Sequence, residues 1–328
     1  TTTTTTTTTT TPSEVVTWSI CVQKVRFIVY ASFWAMVSVA ITVTKIYVVP
    51  YLAEGPADGS TCAPFSRNLP DLGVVPGVGW DFYTQSDLQE RFGFRNVCTN
   101  WDYSPAREVT ASVYPVFEYA ALVFIIMEHL VVLLSRQKGD VCDQGEVRPW
   151  FCTVSWILLP IKLVLTSQFR MIFVFLAYEN VEMHTMGFLG FQICLMLIAL
   201  QSVGYIIEAD VEYESCRHHT KLLAKAFIIG DLIIFAFKVT ATFYVVTHGK
   251  GAPWTMKDSP ISGMKVGQIV DLVWMIFNAM APLGLAYLRM GFDRHLEFTV
   301  KFKPKSVHEV DTETQPLTVP NYGSNTEN

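Results

Sequence analysis

The residues of this chain best placed to do chemistry are ionisable side chains set inside otherwise apolar stretches. They are Glu118, Glu128, His129, Lys162, Arg170, Asp231, Lys238 and Asp271. A charge within a bilayer costs at least a few kcal/mol unless it is paired or hydrated. Each is therefore a candidate for a ligand site, a relay or an ion pair that fixes helix register. Lys162 and Arg170 are eight residues apart and Asp231 and Lys238 seven, which places each pair broadly on one helical face. With helices alternating in direction, Glu118, Arg170, Lys238 and Asp271 fall in an outer layer. Glu128, His129, Lys162 and Asp231 fall in an inner one. These faces are expected to meet in a polar seam. The outer layer suits a ligand or lipid headgroup. The inner layer suits structural pairing, with Glu128 and His129 near enough to the cytosolic end to snorkel.

Other chemistries lack their residues. The sequence holds no phosphate-binding Gly-rich loop, no His-Glu-x-x-His zinc helix and no Gly-x-Ser-x-Gly elbow. Cys216, His218 and His219 read as a solvated turn, so no metal site is expected. His129 is the only deep histidine, which argues against haem, and no cofactor is expected. No nucleophile and base stand at a catalytic spacing, so no catalysis is assigned.

The elements that must position these residues follow from composition. Of 328 residues, 51% are hydrophobic, 13% aromatic and only 16% charged, with a net charge of −5. Mean hydropathy is +0.32. These values exclude a disordered chain, a collagen and a nucleic-acid binder, and leave an integral membrane protein. Six apolar stretches are each near the length that crosses a bilayer as a helix: Phe27–Val49, Ser112–Leu134, Thr153–Leu176, Met186–Ile207, Leu222–Val246 and Val266–Leu288. The expected fold is all-α, a polytopic bundle of six transmembrane helices over residues 20–295.

Lys and Arg concentrate on the side that holds both chain ends, which places both termini in the cytosol. The long connection 53–109 is then lumenal or extracellular. It carries Cys62 and Cys98, which either pair in an oxidising compartment or remain buried thiols. Thr1 to Thr11 form a homopolymer, and residues 1–19 read as a disordered leader rather than a cleaved signal peptide. Residues 296–328 read as a disordered cytosolic tail.

The start of the fourth stretch reads Glu179-Asn180-Val181-Glu182-Met183-His184-Thr185-Met186-Gly187-Phe188-Leu189-Gly190-Phe191, with Gln201 further in. This pattern resembles the Frag/DRAM/Sfk family, as does Asp271-Leu272-Val273-Trp274 early in the sixth stretch. The sixth stretch departs from that family, whose members usually carry Glu then Trp there. The resemblance implies six helices, an outer loop with Pro and Cys, and an eukaryotic home in the Golgi, ER, lysosome or plasma membrane. It implies lipid handling or membrane regulation: GPI-anchor lipid remodelling, autophagy and lysosome modulation, or a surface role of the Sfk type.

His184 itself sits at a helix start, where free N–H groups suit an anionic headgroup, or simply at a water-wetted interface. Gly187 and Gly190 offer a small-residue patch for close helix packing. Membrane lipids are the expected partners. The alternative is a small transporter or channel using the buried charges as a relay, although the two halves of the chain show no internal repeat.

Overall fold

The computed structural model describes residues 14–50, 81–103, 105–137, 147–175, 177, 180–208, 217–261, 263–289 and 295–302. Residues 21–296 form one compact unit. Helix α1 (Val22–Val43) runs on through a π-helical turn, Thr44–Val48. Two short helices, α2 (Phe82–Gln85) and α3 (Asp87–Phe92), and a 3-10 turn at Val97–Trp101 follow. The long helix α4 is Ala106–Gln137. Helix α5 (Pro149–Gln168) is followed by the single turn α6 (Met171–Val174). Then come α7 (Val181–Glu208) and α8 (Arg217–His248). Finally α9 (Val266–Met275) passes through a second π-helical turn, Ile276–Met280, into α10 (Ala281–Arg289).

Local chemistry sets these limits. Asp81 caps α2 by accepting from the Tyr83 N–H at 3.0 Å, and Asn96 caps the 3-10 turn by accepting from Cys98 at 2.8 Å. Gly93, at φ 74°, ends α3 in the left-handed conformation that suits glycine. Pro149 opens α5, where its missing N–H is no loss. The expected third span is divided, because the chain turns at Phe169 and Arg170 between α5 and α6.

The bundle has two distinguishable ends. At one, residues 81–103 form a cap. Thr44 donates to the Asn100 carbonyl at 3.3 Å, Val48 packs with Phe82, Tyr103 and Ala106, and Trp101 meets Phe188. The connection after α8 joins this end, where Arg91 donates to the Gly249 carbonyl at 3.2 Å. At the other end Val132, Val147, Phe151 and Cys152 cluster with Tyr205, and Phe27 meets Tyr287. Among the described residues, six helical rods therefore run the length of the bundle in alternating directions. At roughly 1.5 Å per residue, the 32 residues of α8 extend about 48 Å.

Five rods are long and apolar enough to cross a membrane: Val22–Val48, Ala106–Leu134, Pro149–Val174, Glu182–Tyr205 and Val266–Tyr287. The stretch expected as the fifth span forms α8, which is not among these five. Its sequence is interrupted by Lys221, Lys225, Asp231 and Lys238.

Aromatic side chains fill the centre. Phe33, Phe117, Phe169 and Phe191 are fully buried, with Phe169 and Phe191 only 4.3 Å apart between centroids. A Cβ on Gly187 would stand 2.9 Å from the Met171 Cβ, so the small-residue patch of α7 is where α6 comes closest.

A second, small unit holds the strands. Glu14–Cys21 (β1) and His295–Phe302 (β2) form a two-stranded sheet. Of the expected structureless leader 1–19 and tail 296–328, residues 14–19 and 296–302 therefore form strand. In β2, Leu296, Phe298, Val300 and Phe302 alternate with Glu297, Thr299 and Lys301, the period-two pattern of a strand. Residues 1–13 and 303–328 lie outside the described residues.

Close approach in the cap makes a testable contrast. A Cβ on Gly251 would lie 2.0 Å from the Phe92 carbonyl oxygen, which is backbone and cannot swing aside, whereas one on Gly284 meets nothing within 4 Å. Gly251→Ala is expected to cost about 1–3 kcal/mol. Gly284→Ala is expected to be neutral or to add about 0.5–1 kcal/mol by stiffening the helix. Melting temperatures in detergent check the pair, and equal effects of the two would contradict the packing.

Candidate functional site

The inner charges converge between α1, α4, α5 and α7. Lys162, fully buried, donates to Glu128 Oε2 at 3.1 Å and to Gln201 Oε1 at 2.7 Å. Gln201 passes its other end to Ser155 Oγ at 3.1 Å, and Ser155 meets His129 Nδ1 at 2.9 Å. Glu128 Oε1 accepts from Ser202, which in turn accepts from Arg26 at 3.2 Å. Arg26 Nη2 also stands 3.9 Å from Glu128. Two cations thus share one carboxylate, with serine and glutamine filling the remaining positions.

This arrangement revises the inner layer. Arg26, which reads from sequence as a cytosolic flank residue, belongs to the network. Asp231 does not: its Oδ1 accepts from Asn278 Nδ2 at 2.6 Å, and the residue is fully buried. Asn278 projects from the π-helical turn between α9 and α10, a distortion that often marks a functional position. Glu128 and His129 are buried rather than snorkelling.

The outer charges resolve into two separate pairs rather than one seam. Glu118, buried on α4, is gripped by Arg170 at the α5–α6 turn through Nε at 2.8 Å and Nη2 at 2.8 Å. The Arg170 side chain is 61% exposed. Lys238 on α8 donates to Asp271 on α9, and its ammonium also lies 5.3 Å from the centre of the Trp274 ring. Asp231 and Lys238 share α8 but turn to different partners, and Arg170 lies at the turn beyond the helix that holds Lys162.

His184 is also revised. It is 1% exposed rather than wetted at an open interface, and it borders the cleft described below. Its Nδ1 donates to the Phe175 carbonyl at 2.8 Å, and its Nε2 lies 3.1 Å from Asp102 Oδ1. The imidazole therefore ties the start of α7 to the segment after α6 and stands against Asp102 of the cap. Asp102 lies in the long outer connection, where no helical period points to it, so sequence reasoning missed it.

Lys238 and Asp271 line a cleft beneath the cap. It has about 570 Å³ including its open mouth. Its walls come from α7, α8 and α9, with Leu88, Phe92, Phe94 and Cys98 of the cap above and Trp254 of the connection after α8 at the side. Cys98 is a free, buried thiol; burial pushes its pKa up, so it stays protonated. Its expected partner Cys62 lies outside the described residues. Gln192 and Thr185 also line the cleft. Among the described residues, no group of three or more His, Cys, Asp or Glu side chains could hold a metal ion.

Charge bookkeeping in the inner network generates an ordered prediction. Glu128→Gln leaves Arg26 and Lys162 buried without an anion, which is expected to cost about 3–5 kcal/mol. Lys162→Met leaves Glu128 matched by Arg26 and is expected to cost clearly less. Unfolding in graded denaturing detergent ranks the two, and the reverse order would disprove the pairing. Asp231→Asn preserves an oxygen acceptor for Asn278 and is expected to stay within about 1 kcal/mol of the parent; a loss above about 2 kcal/mol would show that the carboxylate itself is required. Comparison with protein-family models, curated proteins and solved structures finds no match to this chain.

Proposed function

We propose that this chain is a six-pass membrane protein that handles lipid, holding the polar head of a membrane lipid in the cleft beneath the cap. The observation that carries this reading is the Lys238–Asp271 pair, its lysine buried and its carboxylate half-buried, lining that cleft. Register alone would be served by a pair packed dry between helices. Here the pair borders open space, with aromatic side chains on one side and a protein cap above it. A headgroup needs that combination of fixed charge and apolar wall.

The reading takes α8 as the sixth crossing. Its start lies with the far end of the bundle and its end with the cap, and each of its two deep charges has a polar partner where it sits. Asp231 has the Asn278 amide and Lys238 has Asp271. Pairing of this kind removes most of the penalty that composition alone assigns to the helix. An even number of crossings keeps both chain ends on one face, and the Lys and Arg balance puts that face in the cytosol. The cap and the cleft then face the lumen or the exterior. The site binds and orients, and no bond-making step is assigned to it.

Native mass spectrometry of protein purified in mild detergent tests the reading. The parent is expected to retain phospholipid. The double variant Lys238→Met with Asp271→Met keeps the site neutral and is expected to lose at least about tenfold in lipid occupancy, the worth of one charge-assisted contact. Unchanged occupancy at unchanged melting temperature would overturn the assignment.

A further inference from the structure

Resting on that reading, we infer that the cleft selects a zwitterionic head, an ammonium joined to a phosphate, of the phosphocholine type. The argument begins with electroneutrality. Lys238 and Asp271 contribute one charge of each sign, and the Cys98 thiol adds none. His184 and Asp102 face each other and hold the cap. A site of zero net charge in low-dielectric surroundings accepts a neutral pair of charges by exchange. Lys238 passes from Asp271 to the phosphate, and Asp271 passes to the ammonium. A head of net negative charge would leave one anion uncompensated, which is costly in such surroundings.

Polar groups along the lining support the same assignment. Gln192 is 4% exposed and lines the cleft. The Thr185 hydroxyl also lines it and is buried without a hydrogen-bond partner. Buried donors left unpaired are costly and uncommon in folded proteins, so the Thr185 hydroxyl points to an absent acceptor. A phosphate oxygen is such an acceptor, beside the Lys238 ammonium and the Gln192 amide of the same lining.

The opposite lining is aromatic. Phe92 and Phe94 of the cap meet edge to face at 6.1 Å, with Trp254 alongside. Aromatic faces beside a carboxylate are the usual surroundings of a quaternary ammonium. Trp274 meanwhile lies under the Lys238 ammonium and supports it when Asp271 turns to the ligand.

The experiment is a competition on purified protein in detergent, read by native mass spectrometry. Phosphatidylcholine and phosphatidylglycerol of identical acyl chains are supplied together, with soluble phosphocholine as a separate arm. The parent is expected to favour phosphatidylcholine at least tenfold. Asp271→Asn gives the site a net positive charge and is expected to reverse the preference towards phosphatidylglycerol. Equal binding of the two lipids by the parent overturns the zwitterion assignment and leaves lipid handling standing, whether or not the variant folds. Binding of soluble phosphocholine without either lipid keeps the zwitterion and overturns the lipid reading. Binding of none of the three overturns both.

Discussion

A charge taken out of water must be compensated where it sits, and in this bundle that constraint decides which helix faces which. Lys162 is wholly enclosed, so the carboxylate of Glu128 and the amide of Gln201 have to arrive at its ammonium. That requirement sets α4, α5 and α7 at one register. Ser202 and Arg26 extend it to α1. Aromatic packing then fills the centre, but stacked rings tolerate sliding in a way that a buried ion pair does not. In a bilayer, where lipid tails are as apolar as leucine, specific contacts of this kind carry a larger share of helix association than they would in water.

The cap is tied down by different means. It has no long helix of its own, and its short elements depend on caps such as Asp81 and Asn96 and on a left-handed Gly93. It then meets the bundle at close quarters. Gly93, Gly251 and Gly267 are each positions where a Cβ would collide with a neighbour from another segment. His184 completes the attachment by binding a backbone carbonyl on one side and facing Asp102 on the other. These contacts hold the cap over the Lys238–Asp271 pair and turn a helical ion pair into the lining of a cleft.

The two kinds of charge cluster therefore differ in what surrounds them. The inner network links its members through serine and glutamine as well as through opposite charge. The cleft pair stands beside open space and the unpartnered Thr185 hydroxyl, the surroundings on which the proposed headgroup site rests.

Much of this was legible in the residues. Five helices long and apolar enough to cross a membrane follow from apolar stretches of the right length, and the membrane class follows from a chain with too few charges to cover a water-facing surface. The ionisable positions were also legible, since each stands out against an apolar background. The strands were not read although the alternation in His295–Phe302 was available, because a polar segment beside a long helix reads as tail. Partners were not legible either. Arg26 flanks an apolar stretch as a snorkelling residue would, while Ser155, Ser202 and Asn278 are small polar residues of a kind common in helices. Composition and periodicity act along the chain, so the sequence determined where the long apolar helices lie and which ionisable residues fall within them. Which charge meets which depends on the rotation and depth of each helix against its neighbours. That is a property of packing between distant segments, and only the tertiary structure decided it.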